Sequence, residues 1–521
     1  MQSFLQRHAP EIIGVLSGWD RLRLRGTLQW LAHPRGLMGF LSYASVLLKD
    51  FKEYALSITG EIRDHAEALA KDAGRPVEYL TSGHVDKEAL ARKIAARDGV
   101  TEGLIAVFSC VEGCWSYKVA PNRASKKLEL RGGPNKCIHL YFYEFDPLFG
   151  FMHTRLQTWF PFTIQTCLNG REWLSRQLDA QRIGYVRKEN CFVEVADIAK
   201  AQALLQEQLR VNWETKLHAL ARRLNPAYVR LANDSALQYY WSADESEWAT
   251  DVLFRSPAKV KALYPSLLHH GLTAVSSADI MRFLGQKVPA HGGVNGRFQG
   301  EVVTDLKCRP EGMRIKHRLN RNSIKMYDKQ GSVLRVETTI NEVRDLKSYR
   351  AKRSAPDGPK EWRPLRKGLA DMHRRTQISQ AANERYLESM ASVEETVPLG
   401  QLVEKLCQSA TWKGSRVRAL NPFATEDARW LEAVSRGEFT INGFRNRDLR
   451  GLLFTSASSA IEQRRQSGKI TRIIRLLRAH GLLTKVPKTH RYIVSPVGRR
   501  AITALLTARK ADTAKLSQLV A

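Results

Sequence analysis

Acidic residues are in short supply: 52 Asp and Glu face 82 Lys and Arg over 521 residues, a formal net charge of +30. A surface so short of negative charge repels itself unless a polyanion neutralises it, and this excludes most partners except DNA, RNA and acidic surfaces. Cysteine is scarce, with seven scattered residues; the odd number and wide spacing exclude a disulfide framework and fit a reducing cytoplasm. No run of 18 apolar residues occurs, and the beginning, MQSFLQRHAPEIIGVLSGWDRLR, has a proline and polar residues where a secretory leader needs an apolar stretch. The expectation is therefore a cytoplasmic, nucleoid-associated protein with no membrane partner. A phosphate-cradling Walker loop, a dinucleotide Gly-rich fingerprint and a nucleophile elbow are all missing, which excludes the commonest nucleotide-dependent and acyl-transfer chemistries.

What is present is a basic excess lodged in apolar-periodic segments. From Phe444 to Lys510 there are 16 Lys and Arg but only two acids, Asp448 and Glu462. Solvated charge runs have no such periodicity, so the excess reads as a nucleic-acid-binding face.

Pattern and punctuation predict an α/β (α+β) multidomain chain in five segments. Residues 1–126 read as an N-terminal α/β domain, with short strands at Ile12–Leu16 and Leu22–Leu28, a helical stretch from Gly36 into the 70s, a strand Val77–Leu80, a helix started by Asp86 and a buried strand Leu104–Cys110. Residues 127–212 read as the α+β half of a nuclease-like core. In it the aromatic run Trp159-Phe160-Pro161-Phe162 is expected to pack inward, and Asn169-Gly170 to make a turn before a helix. Residues 213–299 read as a helical insert, with Trp241 and Trp248 near the acids Asp244, Glu245, Glu247 and Asp251, closing on a flexible hinge at His291–Gly296. Residues 300–395 read as the β-hairpin half of the core plus a basic helix. Residues 396–521 close the chain.

That last segment resembles winged helix-turn-helix modules. A helix at Asn446–Phe454 precedes a second, Lys469–Arg478, in which Ile and Leu recur at three- and four-residue steps with Arg between them. Gly481 stops it, and Leu482–Val494 reads as a hairpin wing. The resemblance implies a major-groove helix presenting Lys469, Arg472, Arg475 and Arg478, a wing presenting Lys485, Lys488 and Arg491, and compatibility with binding as a homodimer.

The chemically richest stretch is Asn322–Lys329 followed by Val333–Ile340, two strands joined at Gln330-Gly331, where Gly331 supplies a positive φ. Alternation puts Lys325, Tyr327 and Lys329 on one face, and on the returning strand Arg335, Glu337 and Thr339 on one face. Flanking lysines would depress the phenol's pKa and hold a phosphate, and Glu337 could ligate a cation. Tyr-Asp-Lys followed by Leu-x-Arg-Val-Glu resembles the replication initiators of rolling-circle plasmids and filamentous phages. The resemblance implies that Tyr327 attacks the DNA backbone, that Lys325 and Lys329 contact phosphate, and that Glu337 serves a Mg²⁺ or Mn²⁺ ion. The His-x-His pair of the wider nuclease class is missing. Phrases such as SGWDRLRLRGTL and RLQTWFPFTIQTCLNGREWL resemble uncharacterised bacterial proteins of mobile, repeated genomic contexts.

A second constellation uses acids alone. Asp20, Asp305 and Glu337 each end or lie within an apolar strand-like run, as in RNase H- and RuvC-like nucleases and transposases that hold two cations around a scissile phosphate, some of them guided by RNA. Thiol ligation of a metal is weaker. Cys110 and Cys114 are four apart with Cys137 and His139 further on, whereas a closed zinc site needs four ligands in two tight pairs, so buried cysteines are expected.

The sequence thus points to a nucleic-acid-binding protein of a mobile element, acting on DNA and/or structured RNA, and to strand nicking and joining with Mg²⁺ or Mn²⁺. Tyr327, Glu337, Asp305 and Asp20 are its candidate catalytic residues, Glu337 and Asp305 its metal ligands, and Arg314, Lys316, Arg318, Arg321, Lys325, Lys329 and Arg335 its phosphate contacts. A non-enzymatic DNA- or RNA-binding protein uses the same basic faces and is the rival expectation.

Overall fold

The structure, a computed structural model, describes residues 1–235, 237–286, 300–309, 312–352, 354–391, 393, 399–436, 439, 443–487 and 489–510. The chain is mixed α/β and divides into two compact units, one of residues 13–255 and 326–380, the other of 1–12, 256–325 and 381–521. These units cut across the five segments drawn from composition.

The larger unit is built on eight strands. In chain order they are β1 (Ile12–Leu28), β2 (Val77–Leu80), β3 (Gly103–Asn122), β4 (Lys127–Asp146), β5 (Gly150–Gln157), β6 (Ile164–Asn169), then, after a separate hairpin of β7 (Tyr185–Lys188) and β8 (Cys191–Val195), β9 (Tyr239–Phe254). Three further strands follow, β10 (Val302–Arg309), β11 (Gly312–Leu319) and β12 (Asn322–Lys329), before β13 (Val333–Ile340) returns to the sheet. Its order is β13-β9-β1-β6-β5-β4-β3-β2. Each partnership of known register is antiparallel except β2 with β3, where the helical crossover Lys87–Asp98 permits a parallel pair.

Alternation explains how the sheet is covered. Val107 and Phe142 join the main core with the helix Phe51–Asp72, while their neighbours Phe108 and Tyr143 join a smaller cluster with Ala91 and Ile94 of the Lys87–Asp98 helix. That helix therefore lies on the opposite face. Phe160 and Phe162 are fully buried, and Phe160 packs against Phe51, so the aromatic run is core as expected. The turn into β13 also forms as expected, with Gln330 and Gly331 both at positive φ.

Two readings of the sequence need correction. Ile12–Leu28 is one 17-residue strand rather than two short pieces. The segment read as a helical insert contains β9, which is 16 residues long and central in the sheet. Helices do flank it, at Trp213–Leu224 and Pro257–Thr273. The expected hinge at His291–Gly296 lies outside the described residues.

In the smaller unit, β10 and β11 form an antiparallel pair, and β12 runs from this unit into the larger one at Lys325–Met326. The C-terminal part packs helices Thr425–Val434, Asn446–Leu453, Ala460–Ala479 and Pro496–Lys510 around Leu431, Leu449, Ile470, Leu477 and Ile502. Before them stands the hairpin β16 (Ala410–Trp412) and β17 (Ser415–Val417); β14 (Lys347–Arg350) and β15 (Glu361–Pro364) pair in the larger unit. The hairpin β18 (Leu483–Lys485) and β19 (Tyr492–Val494) falls where the wing was expected. The basic helix starts nine residues earlier than expected, at Ala460, because Ser459 accepts the Glu462 N–H and caps it. Among the described residues no helix is long and apolar enough to cross a membrane.

Candidate functional site

The chemistry concentrates where β13, β9 and β1 lie side by side. β13 pairs β9 so that Arg335 faces Asp251, Glu337 faces Ala249 and Thr339 faces Glu247. Period-two alternation then sets Arg335, Glu337, Thr339, Glu247 and Asp251 on one face. The other face is core: Trp19 of β1 meets Trp248 of β9 edge-on at 5.1 Å, and Ser17 Oγ donates to Thr250 Oγ1 at 3.1 Å. Along β1 the alternation breaks after Trp19. Leu22 and Leu24 resume the core side, while Asp20 and Arg21 both reach the polar face.

The result is a cluster of three buried carboxylates, Asp20, Glu247 and Glu337, whose oxygens lie within 4.8 Å of one another. Their partners orient them. Asn190 Nδ2 donates to both Asp20 oxygens at 2.9 and 3.0 Å, and Thr339 Oγ1 donates to Glu247 Oε1 at 3.2 Å. Arg335, only 1% exposed, makes a two-pronged contact with Asp251 at 2.6 and 2.9 Å, touches Asp20 Oδ2 at 3.4 Å and donates to the Asn190 carbonyl at 2.7 Å. Arg171, fully buried, adds a third contact to Asp251 at 2.9 Å.

Gly170 puts Arg171 in place. A β-carbon on it would lie 2.1 Å from the Trp19 carbonyl oxygen, so only glycine lets the helix Gly170–Ala180 start this close to β1. Asn169 caps that helix through the Arg171 N–H at 2.8 Å.

The electrostatics follow from this packing. Burial would raise the Asp251 carboxyl, but Arg171, Arg335 and Lys329 hold it below the ordinary carboxylate value. Arg21, whose side chain is more than half exposed, lies 3.8 Å from Glu247. Glu247 first, then Asp20, Glu245 and Glu337, raise its pKa, so one accessible guanidinium answers the whole acid cluster. The alternation Arg21-Leu22-Arg23-Leu24-Arg25 extends the pattern, pairing Arg23 with Glu245 at 4.0 Å and Arg25 with Asp244 at 2.6 Å.

The sequence-expected residues divide as follows. Asp20 and Glu337 come together; Asp305 does not join them. It sits on β10, about one-third exposed, and pairs with Arg314 across the strand at 3.4 Å. Glu247 is the third acid, noticed in the sequence only as part of an acidic neighbourhood. Tyr327 and Lys329 share a face as expected, the ammonium 5.8 Å from the ring centre, but both are buried, Tyr327 to 8% exposure. Arg335, expected as a phosphate contact, is buried and paired with Asp251. Lys325, Lys329 and Arg314 are buried too. Arg318 and Arg321 stay exposed and Lys316 half-buried.

A basic surface forms instead in the C-terminal part. A groove of about 580 Å³ is lined by Lys469, Arg472 and Arg475 of the basic helix and by Lys413, Arg416 and Arg418 around β17, with Trp412 and Trp430 among them. Arg478 lies over Trp412 at 4.7 Å. The Lys413–Arg418 contribution was missed, since three-residue strands leave no periodic trace. Lys485 is exposed, Arg491 donates to the Gly443 carbonyl at 3.3 Å, and Lys488 lies outside the described residues.

A second ligand cluster lies on β3 and β4, where Cys114, Cys137 and His139 converge without Cys110. Hydrogen bonding with Cys137 draws the Cys114 thiol down to about 7 and pushes the Cys137 thiol up; burial, then Arg155, lowers His139 to about 4. No family model matches the chain, and no curated protein or solved structure is detectably similar to it.

Proposed function

We propose that this protein is a nucleic-acid-processing enzyme that cleaves phosphodiester bonds with the help of a divalent cation held by Asp20, Glu247 and Glu337. The observation that carries the reading is the convergence of three buried carboxylates from three adjacent strands, two of them, Asp20 and Glu247, held by neighbouring side chains. Hard carboxylate oxygens fit Mg²⁺ or Mn²⁺, which take one to three such ligands and complete their shell with water and phosphate. When bound, the ion would supply Lewis-acid polarisation of a phosphoryl oxygen and a more acidic water.

The chain's own residues do the rest. Asn190 and Arg335 fix the Asp20 carboxylate, and Thr339 fixes Glu247. Arg21 is the exposed cation beside the cluster, suited to a phosphate oxygen once a metal shares its acids. The net charge and the Arg/Lys/Trp groove, on a helix-and-hairpin arrangement like a winged helix, would supply affinity through phosphate contacts and base stacking. A mobile-element role is consistent with strand processing, with DNA as the first substrate to test and structured RNA the second.

The test is cleavage of single-stranded and duplex DNA and of structured RNA in Mg²⁺ or Mn²⁺. Glu247→Gln and Glu337→Gln are expected to lower the rate at least ~100-fold, on the scale of losing a charge-stabilising group, while nucleic-acid binding persists. Tyr327→Phe is expected to keep its activity. A wild-type protein that binds but never cleaves would overturn the enzymatic reading in favour of a binding protein. A covalent protein–DNA adduct lost in Tyr327→Phe would replace the carboxylate mechanism with a tyrosine one.

A further inference from the structure

The cluster on β3 and β4 lies apart from the acid cluster in chemistry and in the strands that build it. β3 and β4 pair so that Glu112 faces Cys137 and Cys110 faces His139, with Cys114 diagonal to Cys137. Period-two alternation puts Cys114, Cys137 and His139 on one face. Cys114 Sγ lies 3.3 Å from Cys137 Sγ, which lies 4.0 Å from His139 Nδ1; that nitrogen also lies 3.2 Å from the Cys137 carbonyl oxygen, a hydrogen bond that ligation through Nδ1 would replace. A tetrahedral ion about 2.3 Å from two sulfurs and about 2.0 Å from a nitrogen sets the sulfur–sulfur and sulfur–nitrogen separations near ~3.8 and ~3.5 Å. Both observed values are within about half an ångström of that geometry.

The surroundings are those of an open site. Cys114 and His139 line a cavity of about 180 Å³ whose wall includes Arg25, Arg155, Gln157 and Gln165. Arg155 is tied to Glu112 at 3.0 Å, and Glu112 is held in turn by Lys87 and the Tyr141 hydroxyl, so the wall beside the ligands is braced. Two thiolates and an imidazole select ions of zinc-like softness over Mg²⁺.

We propose that Cys114, Cys137 and His139 form a three-ligand site for a divalent cation of the Zn²⁺ class, with the fourth position open to the cavity and taken by water or a small anion. Three protein ligands and one exchangeable position distinguish it from a closed structural zinc site. The arginine and glutamine wall favours an anionic or strongly hydrogen-bonding fourth ligand.

Co²⁺ titration of the reduced full-length protein tests this. One equivalent is expected to give thiolate-to-cobalt charge transfer in the near ultraviolet and strong tetrahedral bands in the visible, both bleached by one equivalent of Zn²⁺. The oxygen-only acid cluster cannot produce the charge-transfer signal. Cys114→Ser and Cys137→Ser should each weaken binding by at least ~10-fold, the lower limit for disturbing a metal site, and reduce the charge-transfer intensity, whereas Cys110→Ser should leave the spectrum unchanged. Absence of charge transfer at saturating Co²⁺, or a signal that survives in both cysteine variants, would overturn the proposal. So would a Cys114–Cys137 disulfide in protein purified without air or reductant.

Discussion

Replacing Asp251 by Asn tests how the acid-bearing strands are held. Asp251 is fully buried, takes two hydrogen bonds from Arg335 and forms an ion pair with Arg171 at 2.9 Å, the two arginines being 1% and 0% exposed. Asparagine keeps the shape but removes the charge that faces both arginines at close range, leaving Arg335 with Asp20 at 3.4 Å and the Asn190 carbonyl, and Arg171 with the Ala249 carbonyl. Breaking such a buried pair costs ~3–5 kcal/mol, a large share of the ~5–15 kcal/mol that holds a domain folded. For a unit of this size that is a fall in Tm of about 10 °C. The pH dependence has a definite sign. Arg171 and Arg335 outweigh burial and depress the carboxyl in the folded chain, so its contribution is fully present above the unfolded value of ~3.9 and is lost as pH falls through the lower folded one. The gap between wild type and Asp251→Asn is thus widest at neutral pH and closes under strong acid. Thermal and urea unfolding followed by circular dichroism at pH 7, 5 and 3 measure it. A variant within about 1 kcal/mol of wild type at pH 7, or a gap that stays constant to pH 3, would mean that the Asp251 charge does not hold these strands. Asp305→Asn is the control: its partly exposed pair with Arg314 should be worth at most ~1 kcal/mol.

Gly170→Ala forces a methyl against the Trp19 carbonyl and should cost ~1–3 kcal/mol, whereas Gly60→Ala, in a helix with open space around the new carbon, should be neutral or stabilising by up to ~1 kcal/mol; paired melting curves decide. Arg472→Gln and Arg475→Gln should each weaken nucleic-acid binding and reduce the slope of log affinity against log salt by ~1, as read by fluorescence anisotropy. Arg335→Gln, already engaged by Asp251, should instead show its effect as lost stability with an unchanged salt slope. An Arg472→Gln variant with wild-type affinity and slope would remove the groove from the binding surface.

Much of the sheet was legible because its strands alternate in the ordinary way. The β12–β13 hairpin, the Asp86-capped helix and the buried aromatic run at 159–162 all follow from local rules. β9 was not legible, for a physical reason: Trp241 and Trp248 pack in the core while the acids Asp244, Glu245, Glu247 and Asp251 pair with Arg25, Arg23, Arg21 and Arg335, which are far away in sequence. A strand whose polar face is paired inside the protein looks like a solvated acidic helix until those partners are known. The same blindness made Arg335 a phosphate contact, since its mate Asp251 stands 84 positions away. Asp20 and Glu337 could be picked from their apolar strand contexts; Glu247, sharing its stretch with three other acids, could not.

Joint binding of one hard divalent cation by Asp20, Glu247 and Glu337, as proposed above, is open to direct measurement. Titrating the protein with Mn²⁺ and counting free ion by electron paramagnetic resonance tests it without any need to know the substrate. Tight Mn²⁺ uptake that Mg²⁺ competes away is expected, with the site lost in Glu247→Gln and in Glu337→Gln and kept in Asp305→Asn. Equal Mn²⁺ binding by wild type and both glutamine variants would contradict it.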